Sequence, residues 1–76
     1  MYKGRIYYDI KETEKDCVLF ANQGETDRVY SLIMAITGGD HNTASSVEGW
    51  CEIASIGETY EHEKFTVEIV LEEAIA

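Results

Sequence analysis

From Phe65 onward the chain alternates. Phe65, Val67, Ile69 and Leu71 are apolar, Thr66, Glu68 and Glu72 between them are polar, and Val70 is the one exception. Successive side chains of a β-strand point to opposite faces, so this stretch reads as a strand with one face buried and the other in water. Such a strand cannot stand alone. Its backbone needs partners in a sheet, and its apolar face needs a cover. The wet face is acidic, because Lys64 is the only base near it.

The N-terminal part of the chain supplies sheet partners. Residues 2–11 alternate as well, with Tyr2, Ile6, Tyr8 and Ile10 on one side and Lys3, Arg5, Tyr7, Asp9 and Lys11 on the other. Lys11 to Asp16 contains no apolar residue and reads as a hairpin tip. Cys17 to Ala21 follows as a short strand, apolar on both faces, and Asn22, Gln23 and Gly24 are a strong turn signal. These two strands are expected to pair as an antiparallel hairpin, with the final strand pairing against one of them. At a sheet edge, that final strand would invite strand addition or dimerisation.

Two helices are expected as the cover. The first starts after Glu25, with Thr26 as its cap and Asp27 in its first turn. Val29, Leu32, Ile33 and Ile36 recur at helical spacing, and Gly38 and Gly39 end the helix. A polar loop then runs to Ala44. Ser45 and Glu48 form a capping-box pattern that opens a second helix over 46–56, with Val47, Trp50, Cys51 and Ala54 on its apolar side, widened by Ile53 and Ile56. A strand over Trp50 to Ile56 is the competing reading, and Gly49, Ala54 and Ser55 weaken it. The expected fold is therefore α+β: one small domain over residues 1–76, a three-stranded antiparallel sheet with two helices packed on one face, in the order β-β-α-α-β.

A chain of 76 residues has little room for both a core and a deep substrate cavity. Its opening residues do not resemble a signal peptide, and no apolar run approaches the roughly 20 residues of a membrane helix. Two cysteines, Cys17 and Cys51, are too few for a disulfide scaffold, and both fall in apolar patterns. Reduced thiols and a cytoplasmic location are expected. The formal charge is −9, and the excess is lopsided. Residues 1–30 hold five bases and six acids, whereas residues 31–76 hold Lys64 against nine acids. Such a field repels nucleic acid and anionic membranes and speeds encounter with basic surfaces.

Few residues offer chemistry. Cys17, His41, Cys51 and His62 are separated by ten residues or more, unlike the close ligand pairs of structural zinc sites, so no metal or other cofactor is expected. No local motif joins Cys51 to a histidine and an orienting acid. Gly38 to Asn42 precedes a helix start, but a phosphate loop would carry a base, and none lies between Arg28 and Lys64. The bases around Tyr7 are matched by nearby acids, so direct nucleic-acid binding is not expected.

What remains is the acids themselves. Glu48 and Glu52 on the second helix, Glu58, Glu61 and Glu63 after it, and Glu68, Glu72 and Glu73 on the last strand could share a side and imitate a run of phosphates. The rival reading is a set scattered over a soluble surface. In size, acidity and lack of a catalytic signature the chain resembles the small proteins with which phages and mobile elements inhibit host defence, anti-CRISPR and antirestriction proteins among them. That likeness lies in composition and size and assigns no residue. The expected function is a non-enzymatic, inhibitor-type binding module whose partner is a basic protein surface, such as that of a nucleic-acid-binding protein. Candidate partner-binding residues are Glu48, Glu52, Glu58, Glu61, Glu63, Glu68, Glu72, Tyr60 and Asp40, with Tyr7 and Trp50 as further aromatic anchors if exposed. The alternative is a small homo-oligomeric structural or ligand-sequestering protein with a site between subunits.

Overall fold

The computed structural model describes the backbone of residues 2–15 and 18–75 and the side chains of 4–15 and 18–72. The elements are β1 (Tyr2–Glu12), β2 (Val18–Asn22), α1 (Thr26–Thr37), α2 (His41–Ile53), β3 (Thr59–Glu61) and β4 (Phe65–Ile75). All pairings are antiparallel, and the strand order is β2-β1-β4-β3. The expected α+β class holds, with one correction. The sheet has four strands rather than three, because the chain after α2 runs back along β4 as the three-residue β3. His62 N–H donates to Phe65 C=O at 2.9 Å and closes that turn. Cys17, read as the start of the second strand, and Asp16 lie outside the described residues, as do the side chains of Tyr2, Lys3 and Glu73.

Alternation sorts the sheet as the sequence implies. Tyr8, Ile10 and Ala21 are buried beside Phe65, Val67 and Ile69, and they pack against Val29 and Ile33 of α1 and Ala44, Val47 and Cys51 of α2. Both helices therefore cover one face. Each large apolar side chain buried in this way contributes about 1.5–3 kcal/mol, and Phe65 is the bulkiest of those fully enclosed. The short strand β2 is only half apolar in its setting. Leu19 and Ala21 face the helices, while Val18 and Phe20 face out and are more than half exposed.

The second helix departs from expectation at both ends. It begins at His41, not near residue 46, and its cap is Asp40, not Ser45. The Asp40 carboxylate accepts from Thr43 N–H at 3.1 Å and from the Thr43 hydroxyl at 2.7 Å. Gly38 and Gly39, both at positive φ, stop α1 so abruptly that Asp40 is already at a helix start. The helix ends at Ile53, which is 84% exposed rather than part of the core face, and Ile56 lies beyond it. At α1 the residue before the helix is Glu25, which makes no side-chain cap. Its carboxylate instead accepts from Asn22 N–H at 2.7 Å, so the turn has claimed it. The last strand is internal only where β3 covers it, at residues 66–68; further along, among the described residues, it pairs with β1 alone.

Candidate interaction surface

The helices leave the other face of the sheet open, and the strand register sets out its side chains in rows. One row runs Thr59, Glu68, Asp9, Phe20 from β3 to β2, and the next runs Glu61, Thr66, Lys11, Val18. Toward the other end, Val70 stands opposite Tyr7 and Glu72 opposite Arg5. Residues directly opposite in antiparallel strands have Cβ atoms about 4.5–5.5 Å apart, and diagonal neighbours lie about 7–8 Å apart. Three of the expected acids therefore share this face: Glu61, Glu68 and Glu72. Glu61 is diagonal to Glu68, and Glu72 lies two repeats further along β4, beyond Val70.

Two features mark the middle of this face. Asp9 and Glu68 are direct cross-strand partners, and like charges in that position destabilise a sheet. Asp9 Oδ1 is buried and, among the described residues, has no hydrogen-bond partner. Both arginines are engaged elsewhere, Arg28 on the Phe20 carbonyl. Arg5 Nη2 lies 3.5 Å from Glu72 Oε2, and the guanidinium sits 5.2 Å from the Tyr7 ring centre and 6.0 Å from that of Phe20. Tyr7 and Phe20 themselves meet edge to face at 6.2 Å. The face thus has an aromatic and cationic side over β2 and β1 and an acidic side over β4 and β3.

The remaining expected residues do not join it. Glu48 and Glu52 are on α2, in the layer on the opposite side of the sheet. Glu58 is exposed in the loop before β3, and Glu63 is exposed on the turn between β3 and β4. Asp40 is occupied as a helix cap. Tyr60 faces the helices and is partly buried, with Trp50 edge-on at 5.6 Å and Phe65 parallel at 6.2 Å, so little of its ring is free for a partner. Asp9, Phe20 and Val18 were not foreseen as surface candidates. The alternation already put Asp9 on the wet face, but the residue it faces is set by register.

The sheet edges are blunted. On β2, Asn22 N–H donates to Glu25 Oε1 and Asn22 C=O accepts from Glu25 N–H, while Phe20 C=O accepts from Arg28 Nε at 3.3 Å. On the other side β3 is only three residues long. Where β2 and β3 form the edges, little free backbone is left to template strand addition, whereas residues 2–6 of β1 and 71–75 of β4 have, among the described residues, no third strand beside them.

The reactive residue types are engaged in packing. Cys51 is buried, and desolvation, followed by the charges of Glu48 and Glu52, pushes its thiol up to about 11. A protonated thiol is a poor nucleophile. His41 Nδ1 is hydrogen-bonded to the Tyr30 hydroxyl. His62 stacks on Phe65 at 4.6 Å and accepts from Lys64 N–H at 3.1 Å. Among the described residues no three of His, Cys, Asp or Glu are grouped as a metal ion would require, and no helix is long and apolar enough to cross a membrane. No protein-family model, curated protein or solved structure matches this chain.

Proposed function

We propose that the protein is an inhibitor-type binding module that acts in the cytoplasm and lays its open acidic sheet face on a cationic surface of a partner protein. The surface this chemistry fits best is one built to hold nucleic acid, as in a nuclease of host defence, which is the setting of anti-CRISPR and antirestriction proteins. The observation that carries the reading is the Asp9–Glu68 pair, with its unpartnered Asp9 oxygen, at the centre of an uncovered face. A guanidinium from a partner laid over the Asp9–Glu68 pair would relieve the repulsion, a gain made only on binding. Phe20 and Tyr7 beside it offer aromatic contact area of the kind that anchors interfaces. No bond is made or broken in this role.

The test is a pull-down of the tagged protein from a bacterial lysate, eluted with a salt gradient, alongside the double variant Glu61→Lys, Glu68→Lys. The wild type is expected to retain a nucleic-acid-binding protein that releases as salt rises. The double variant should lose at least about tenfold in affinity while remaining folded, because Glu68→Lys turns a like-charge pair with Asp9 into an opposite one. Glu48→Lys with Glu52→Lys, on the helix layer, should bind as the wild type does. Full binding by the sheet-face variant would reduce the acidic face to a solubility feature.

A further inference from the structure

Along an antiparallel strand each residue turns its N–H and C=O to one neighbouring strand, and the next residue turns them to the other. On β4 the phase is fixed by Ile69, whose N–H donates to Glu58 C=O at 3.2 Å and whose C=O accepts from Gly57 N–H at 2.8 Å. Odd-numbered residues therefore turn toward the β3 side. Those bonds are the last on that side, since β3 itself pairs only with residues 66–68. Beyond them the backbones of Leu71, Glu73 and Ile75 turn outward, and among the described residues nothing pairs with them. Their even-numbered neighbours turn inward to β1, with Glu72 opposite Arg5 and Ala74 opposite Lys3. The result is an edge about 14 Å long on which each outward residue offers one donor and one acceptor. Neither proline nor a bulge protects it, because the chain has no proline and the register with β1 runs unbroken.

The two faces beside this edge differ. On the helix side Leu71 is 38% exposed and leans away across Gly4, where an added Cβ would stand 2.6 Å from Leu71 Cδ1. Ile56, half exposed, lines one hollow with Ile69 on that side. On the open side stands Glu72, and Glu58 is exposed where the edge begins. The only base from residue 54 to 76 is Lys64, at the other end of β4.

We propose that an extended segment of a partner protein adds to this edge as a further strand, with basic side chains on the open side and apolar ones on the helix side. The outward N–H and C=O groups fix the conformation of the occupant, because only another extended chain matches their spacing. Alternation then fixes its pattern: side chains beside Glu72 are basic, and those beside Leu71 and Ile56 are apolar. A second copy fits worse. Pairing β4 with its own copy sets acidic strand on acidic strand in chains that each carry −9. The β1 edge of another copy carries Arg5 but is closed early by Gln23, whose N–H takes Ile6 C=O, and that head-to-tail pairing has no end. The edge is separate from the Asp9–Glu68 pair and does not depend on the role given to that pair.

The test titrates the isotope-labelled protein, in about 150 mM salt, with a blocked peptide of about six alternating valines and lysines. Beside it runs the same peptide N-methylated at every second residue, which keeps charge and side chains but loses backbone donors. The unmodified peptide is expected to shift the amides of 71, 73 and 75, to protect them from hydrogen exchange, and to bind at least about tenfold more tightly than the methylated one. Glu73→Pro removes an outward N–H and no bond to β1, so it should fold with an unchanged circular dichroism spectrum and lose about tenfold in peptide affinity. Should that variant unfold, the methylated peptide on the wild type decides. Glu61→Lys with Glu68→Lys should keep the shifts at 71–75. Equal binding of the two peptides would reduce the contact to charge and overturn the proposal, as would a peptide that leaves 71–75 unmoved. Protection of these amides without peptide, in a species whose mass grows with concentration, would give the edge to further copies of this chain and overturn the partner.

Discussion

Cys51 shows how a single residue reports its surroundings. Its thiol lies in the core between α2 and the sheet, and burial with Glu48 and Glu52 nearby raises it from 9.0 to about 11. Tyr8, in the same core, is raised from 10.0, chiefly by burial. Both groups are neutral at pH 7 in the folded and the unfolded chain, so their contribution is fully present there. As pH climbs past 9 the unfolded chain ionises while the folded one resists, and stability is lost until the folded value near 11 is reached. The unfolding free energy is therefore expected to be flat from about pH 6 to 8 and to fall above about pH 9. Two pKa units in Cys51 correspond to about 2–3 kcal/mol, and Cys51→Ala should remove that share of the slope. Urea midpoints measured for both proteins across this range check it, and an unchanged slope in the variant would clear the thiol. At neutral pH the same burial should make Cys51 slow to alkylate until urea exposes it.

At the scale of elements, what the sequence disclosed depended on length and period. Strands β1 and β4 and helix α1 each repeat their pattern over several turns or rows, so class, helix cover and the pairing of the last strand with one strand of the N-terminal hairpin were legible, but not that the partner is β1. Strand β3 was not, because Thr59, Tyr60 and Glu61 are too few to show a period, and β4 alone makes them a strand. Helix α2 was legible in kind but misplaced. Ser45 and Glu48 satisfy the capping pattern, yet Asp40 with Thr43 satisfies it earlier, and the earlier start also buries Ala44 completely. Thr37 reinforces that start. Its hydroxyl donates to Ile33 C=O at 2.8 Å and accepts from Asp40 N–H at 3.1 Å, joining the end of α1 to the cap of α2. The two Thr43 hydrogen bonds hold the Asp40 carboxyl below its ordinary value. Its contribution is thus present above that ordinary value and fades as pH falls through the lowered one. Asp40→Ala should lower the melting temperature by a few degrees at pH 7 and by less in acid, while Asp40→Asn, itself a good cap, should sit near the wild type at pH 7. Thermal melts at the two pH values separate these outcomes. The candidate surface was half legible in the same way: alternation placed Glu68 and Glu72 outward, but the register that sets Asp9 against Glu68 is not written in either strand alone.

For the whole molecule the dominant quantity is the charge of −9. Ion pairing offsets little of it. Among the described residues only Arg5–Glu72 at 3.5 Å and Lys15–Glu12 at 3.9 Å come within range; the first is exposed on both sides and worth about 0–1 kcal/mol, and the second joins an exposed lysine to a part-buried glutamate at the limit of contact. Self-repulsion should therefore outweigh attraction in the folded state, and added salt should stabilise the protein by screening it. Raising sodium chloride from about 20 to about 500 mM is expected to increase the melting temperature by several degrees, since 1 kcal/mol moves a domain of this size by roughly 4–8 °C. A falling melting temperature would mean that attractive pairs dominate after all. The proposed partner contact should move the other way in the same titration, because it pairs opposite charges and weakens as salt screens them. Following melting and partner release across one salt series therefore separates the two: stability should rise while partner affinity falls. Partner binding that did not weaken with salt would mean that the acidic face is not what the partner holds.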